Sequence, residues 1–195
     1  MSARQPWADP AQYQVRAVGP DDRGRVARFL AAMDRDGLYE RHFAHGEAPN
    51  LALLRRMETL DKRDRVAVLA VDHDGEVLGH AEYVAEHGAA EFALMVLPRS
   101  RHRGIGRKLL TALQQIATAA GQRAMHGMIQ ASNTRALHLV RNSGFSLAAG
   151  EDRTTVIASR QLPPSQPLPF IRHDPDRTSL HRRPGPGAPL RAGGG

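Results

Sequence analysis

The stretch Arg101-His102-Arg103-Gly104-Ile105-Gly106-Arg107 decides how this chain is read. It stands where an apolar run at 90–96 gives way to a segment in which Ile105, Leu109, Leu113, Ile116, Ala117 and Ala120 recur every three or four residues. That spacing puts them on one face of an α-helix, and Gly121 follows where a capping glycine would end it. The two glycines of the stretch therefore occupy a strand-to-helix turn. At the start of a helix the first backbone N–H groups have no intrahelical acceptor and the helix dipole is positive, which together make an anion site. Glycine lets the backbone approach a phosphate closely, and Arg101, Arg103, Arg107 and Lys108 add full positive charges. The stretch reads as a cradle for a pyrophosphate.

Two common phosphate loops do not fit it. A kinase-like P-loop needs Gly-Lys-Ser/Thr after its glycines, and this chain has Gly106-Arg107-Lys108-Leu109. The dinucleotide fingerprint needs a third glycine where Leu109 stands. Read as Arg/Gln-x-x-Gly-x-Gly/Ala, however, Arg101, Gly104 and Gly106 fill all three fixed positions. Downstream, 124–129 reads as a strand, and Asn133 is a good helix-capping residue. Ala136, Leu139 and Val140 share the face of the helix it would open, and Gly144, just before Phe145, suits a left-handed C-terminal cap.

Together these motifs resemble the GNAT superfamily of N-acetyltransferases. The first looks like its coenzyme A pyrophosphate loop, the second like its Asn-x-x-Ala helix closing in Gly-Phe. Taken singly, a Gly-x-Gly turn or a capped helix is ordinary punctuation, and a basic cluster is an ordinary solvated face. Their order, with roughly thirty residues between them, carries the resemblance. It implies an α/β GNAT fold: a mixed central sheet splayed between two strands and flanked by helices, with pantetheine inserted in the opening. The rest of the chain agrees with that order. Strands are expected at 14–18, 66–71, 77–84, 90–96, 124–129 and 154–158, with Asp72-His73-Asp74-Gly75-Glu76 as a hairpin turn. Besides the two motif helices, one is expected after Asp21-Asp22 through Met33, and another over 38–60, interrupted near Gly46 and Pro49.

Composition narrows the function classes. At 195 residues the chain has ample length for one domain with its own core. No run approaches the roughly 18 apolar residues of a membrane span. The start, Met1 to Trp7, lacks the apolar core of a signal peptide. There are no cysteines, which excludes disulfides, thiolate zinc and a cysteine nucleophile, and the ten histidines show no metal-ligand spacing. A cytoplasmic location is expected, with no metal and no membrane contact. The net charge is +7, of which +3 falls in 163–195, where five arginines face two aspartates. That segment also holds eight of the thirteen prolines, so the expected organisation is a catalytic domain over 1–162 and a disordered tail over 163–195. Nucleic acid is an unlikely partner, because only 5% of residues are aromatic and none falls among the basic residues at 99–108.

The resemblance implies acetyl transfer from acetyl-CoA to an amine. A lysine-type amine is almost wholly protonated at pH 7, with about one molecule in 2500 neutral, so a base is needed. Glu91, at the head of the strand leading into the loop, is the expected general base. The string Ala90-Glu91-Phe92-Ala93-Leu94-Met95-Val96 is similar to that of bacterial protein-lysine acetyltransferase domains, which use a glutamate there; further similarity lies at 38–43 and 61–71. Glu82, Glu86 and His87 are the alternatives. Expected cofactor contacts are the backbone near Met95 and Val96, then Arg101, His102, Arg103, Gly104, Ile105, Gly106 and Arg107, and Asn133. Many members of the superfamily carry a general-acid tyrosine where this chain has Val140. A coenzyme A thiol, with a pKa near that of cysteine at about 8.5, can leave unaided as thiolate. Val140 also keeps open an alternative, a catalytically silent acetyl-CoA-binding sensor module. The expected acceptor is a primary amine, a protein lysine by this resemblance, while oligomeric state is not legible.

Overall fold

A computed structural model describes residues 13–33, 54, 57–61 and 63–164, all within one compact unit, Met1–Ser165. Of the helix expected over 38–60 only Leu54 and 57–60 are described, with Met57–Thr59 a 3-10 turn; the tail expected from 163 lies outside the described residues beyond 164.

Seven strands form one sheet: β1 (Tyr13–Ala17), β2 (Arg65–Asp72), β3 (Val77–Glu86), β4 (Ala89–Val96), β5 (Ala124–Gln130), β6 (Ser146–Ala149) and β7 (Thr155–Gln161). Their spatial order is β1-β2-β3-β4-β5-β7-β6. Every pairing is antiparallel except β4 with β5, so the sheet is mixed, as expected. Three helices lie wholly among the described residues, α1 (Arg23–Ala31), α2 (Ile105–Ala119) and α3 (Thr134–Asn142).

Strand alternation sorts side chains between two cores. Val66, Val68 and Ala70 of β2, Ala81 and Tyr83 of β3, and Ala90 and Phe92 of β4 pack with Ile105, Leu109, Leu110 and Leu113 of α2. On the opposite face Leu69, Val71, Val77 and Met95 pack with Val26, Phe29 and Leu30 of α1. Helix α2 comes so close to the sheet that a Cβ on Gly79 would lie 2.9 Å from Leu109 Cδ1. The start of α1 is fixed by Asp22, 2% exposed, whose carboxylate accepts hydrogen bonds from Arg16 at 2.6 and 2.7 Å and from the Gly19 N–H at 2.8 Å.

The hairpin at 72–76 forms as expected, with Gly75 in the left-handed region. One strand was not anticipated. β6 pairs along β7 as an edge strand, yet its four residues show no apolar alternation, three being exposed and one half-buried. Without the period-two signal a short edge reads as loop. Among the described residues no helix is long and apolar enough to cross a membrane.

Candidate active site

Strands β4 and β5 pair over only three rungs, Ala89↔Ala124, Ala90↔Met125 and Glu91↔His126. Beyond Glu91, β4 runs on to Val96 and β5 to Gln130 without pairing to each other, which is the splay the fold class called for. The side chains at the fork account for it. A Cβ on Gly127 would sit 2.8 Å from Phe92 Cε1, so the Phe92 ring lies across to β5 where that residue has no side chain. The same ring packs on Phe145 with centroids 5.1 Å apart. Phe92 thus floors the opening at the fork.

The opening widens into a cleft of about 1040 Å³, lined by 91–96 of β4, the loop before α2, the first turns of α2, Met128 and Ile129 of β5, and the cleft-facing side of α3. Its volume suits a large, elongated ligand. At one end stands the loop. His102 has φ 63° and Gly104 φ 76°, and the reversal they make brings in α2, with Gly104 as its N-cap. The first intrahelical bond there runs from the Lys108 N–H to Gly104 O at 3.1 Å, so the N–H groups of Ile105, Gly106 and Arg107 are left for another acceptor. Space beside Gly104 is open, a Cβ meeting only Tyr13 Oη at 3.9 Å. Gly106 is different: its Cβ would lie 3.1 Å from Leu139 Cδ2 and within 3.8 Å of Leu94 and Val96. It keeps α2, α3 and β4 together at the throat of the cleft, and so has a packing role that the phosphate-loop motif alone did not reveal.

The residues expected to form the site come together almost completely. Glu91, Met95, Val96, Arg101, His102, Gly104, Ile105, Gly106, Arg107 and Asn133 all line this one cleft. Arg103 does not: its carbonyl accepts a hydrogen bond from Tyr13 Oη at 3.4 Å. Lys108 also turns aside, with Nζ 4.6 Å over the Tyr13 ring. Asn133 caps α3 as anticipated, its side chain accepting from the Ala136 N–H at 2.9 Å. Among the alternative bases, Glu82 is buried with Oε2 3.9 Å from His80 Nε2, and Glu86 and His87 lie at the β3–β4 turn; none of the three lines the cleft. Glu91 is exposed at its head.

Val140 lines the cleft and is 2% exposed. Neither described tyrosine, Tyr13 or Tyr83, lines the cleft to offer a substitute acid. The Tyr83 hydroxyl donates to Arg63 O at 2.8 Å, and burial, with Asp64 and Asp61 nearby, pushes it up to about 12. Sequence reasoning missed Phe92 and Gly127 as the builders of the opening, although a glycine inside a strand does signal close approach of another group. It also missed His138 and Asn142, which line the cleft one turn apart with Nε2 and Nδ2 at 2.8 Å. Among the described residues no cluster of acidic, histidine or cysteine side chains is arranged to hold a metal.

Comparison with known proteins agrees with this architecture. The acetyltransferase (GNAT) family matches residues 30–145, and the chain belongs to that family. It is 33% identical over 107 residues to a mycothiol acetyltransferase of Geodermatophilus obscurus, covering 54% of this chain and 32% of that protein. It is 32% identical over 105 residues to an L-methionine sulfoximine/L-methionine sulfone acetyltransferase of Pseudomonas paraeruginosa, covering 49% of this chain and 61% of that one. The chain thus spans about a third and about three fifths of these two relatives. In three dimensions it is similar to a phosphinothricin acetyltransferase from Sinorhizobium meliloti solved in complex with acetyl-CoA. There the TM-score is 0.65 at 22% identity, covering 85% of this chain and 97% of the other.

Proposed function

We propose that this chain is an N-acetyltransferase that moves an acetyl group from acetyl-CoA to a primary amine. The observation that carries the reading is the geometry of the splay, with α2's free N–H groups at one end of the cleft and Glu91 at the other. Residues 91 to 96 of β4 span roughly 16 Å, room for an extended arm between an anchored pyrophosphate and a reacting carbonyl. The N–H groups of Ile105, Gly106 and Arg107 with the charges of Arg101 and Arg107 hold the pyrophosphate, while Asn133 fixes the start of α3 beside it. When bound, acetyl-CoA supplies an acyl group already activated as a thioester. Glu91 takes a proton from the acceptor's ammonium, freeing the lone pair that attacks. Strand β4, unpaired on its β5 side past Glu91, presents backbone N–H groups near Met95 and Val96 as donors to a developing oxyanion.

The finer reading of the acceptor is a protein lysine, supported by the likeness of the 90–96 strand to protein-lysine acetyltransferase domains. The relatives with named acceptors work on small molecules, so a small amine is the competing acceptor for the same site. Val140 favours a second reading of the whole, a module that binds acetyl-CoA without turning it over. One experiment separates these readings: release of free thiol is followed after adding small amines, lysine peptides or whole proteins to the chain with acetyl-CoA. Thiol release with any amine establishes transfer, and the productive class names the acceptor. Tight binding of acetyl-CoA without release would leave the sensor reading.

A further inference from the structure

We infer that His126 is the second proton acceptor of this site, working through Glu91; the inference rests on the acetyltransferase reading above. The need for it is one of bookkeeping. A primary ammonium has three N–H bonds and a secondary amide has one, so two protons leave the nitrogen for each acetyl group moved. One N–C bond forms, the acyl C–S bond breaks, one proton ends on the departing sulfur and the other in water. A single carboxylate holds one proton at a time, and it must be emptied before it can act again.

The register supplies the partner. Glu91 and His126 face each other on the last paired rung before the sheet opens. Strands in register stand about 5 Å apart. Their neighbours show that the two side chains share a face: Ala90, Phe92 and Met125 point into the core beneath α2, so Glu91 and His126 point the other way. On that side α1 covers only residues from β2, β3 and β4, and among the described residues nothing apolar buries the β5 part of the face: Met128, one alternation beyond His126, is 47% exposed. His126 is half-buried and Glu91 exposed. Among the described residues, the other charged or titratable side chains in register on this face are on strands further off, Arg16 on β1, Arg65 on β2, and His80, Glu82 and Glu86 on β3, while His126 is flanked on β7 by Ser159. Imidazoles as a class titrate near pH 6.5, between a carboxylate and an amine, which suits a group that relieves a protonated carboxyl and returns the proton to water. With a valine at the place of the usual acid, the proton that reaches the sulfur must come from this pair or from solvent.

The test compares wild type, E91Q, H126Q and the double variant on one amine, with kcat/KM measured from pH 5.5 to 9.5. Acetyl-CoA affinity by calorimetry and melting temperature verify that each variant is folded, and H126N replaces H126Q if the latter loses binding. H126Q is expected to bind acetyl-CoA normally and to lose roughly tenfold or more in kcat/KM at neutral pH, at the low end of what positioned proton transfer contributes. The loss should fade above about pH 9, where free amine is plentiful. The double variant should be less impaired than the product of the two single losses, since the two groups serve one transfer. An H126Q profile superimposable on wild type overturns the inference. If E91Q is impaired and H126Q is not, only the role of His126 falls. If H126Q is impaired and E91Q is not, the carboxylate assignment falls, and the inference that His126 works through Glu91 falls with it.

Discussion

Glu91 and Asp22 are two carboxylates with contrasting settings, the first the proposed base and the second a partner of Arg16. Glu91 is exposed at the head of the cleft, and E91Q keeps its size, so acetyl-CoA binding should persist while kcat/KM at neutral pH falls about a hundredfold. Because the missing work is removal of a proton from an ammonium, the deficit should shrink as pH rises toward the amine's own range near 10. Parallel pH profiles for the two proteins would remove Glu91 from that role. Asp22 is structural. The hydrogen bond from Arg16, foremost, with that from the Gly19 N–H, holds its carboxyl down at about 2 from an ordinary 3.8. A lowered pKa stabilises the fold above the ordinary value and loses that contribution as pH falls toward about 2. The shift corresponds to about 2 kcal/mol. D22N should therefore unfold more easily than wild type in urea at pH 7, with the gap closing between about pH 4 and pH 2. A gap independent of pH would mean that the Arg16 pair does not hold the start of α1.

At the scale of elements, the site depends on how α2 enters and how β4 and β5 part. Gly104 adopts a left-handed φ with open space beside it, so G104A should cost about 1 kcal/mol of strain and weaken acetyl-CoA binding only in part. Gly106 sits against Leu139, Leu94 and Val96, so a branched side chain both fills the cradle and pushes α3 away. G106V should abolish binding by calorimetry and lower stability by about 1–3 kcal/mol. Normal binding by both variants would place the anion site elsewhere. At the fork, G127V should displace the Phe92 ring and cost a similar amount, about 1–3 kcal/mol, while lowering acetyl-CoA affinity because the floor of the opening moves. A G127V protein with unchanged affinity would show that Phe92 does not shape the cleft.

For the whole molecule, the splay is a stretch of sheet left unpaired by the protein itself, so a ligand seated there stabilises the folded state by mass action. At a hundred times Kd, acetyl-CoA should add about 2.7 kcal/mol. For a domain of this size that raises Tm by roughly 5–10 °C. An unchanged Tm in millimolar acetyl-CoA would tell decisively against the cofactor. Coenzyme A lacking the acetyl group should stabilise nearly as well, because the cradle reads the pyrophosphate rather than the acyl end.

Six of the seven described strands, the three described helices and the loop were legible because each announces itself within a few residues. Period-two and period-3.6 apolar patterns, Asn133 as a cap, and Gly75, Gly121 and Gly144 in left-handed turns all act locally. Glu91 and the phosphate loop were legible for the same reason, being consecutive along one strand and one turn. What needed tertiary structure was whatever arises between segments distant in the chain. The edge strand β6 exists only through its partner β7, and Arg103 and Lys108 turn to Tyr13 from ninety or more residues away. The floor of the opening comes from Phe92 meeting a glycine thirty-five positions later, and the rung that sets His126 beside Glu91 spans the same distance. Sequence patterns report the face a residue belongs to; which residue it meets there is decided by strand register, and register is a property of the folded sheet.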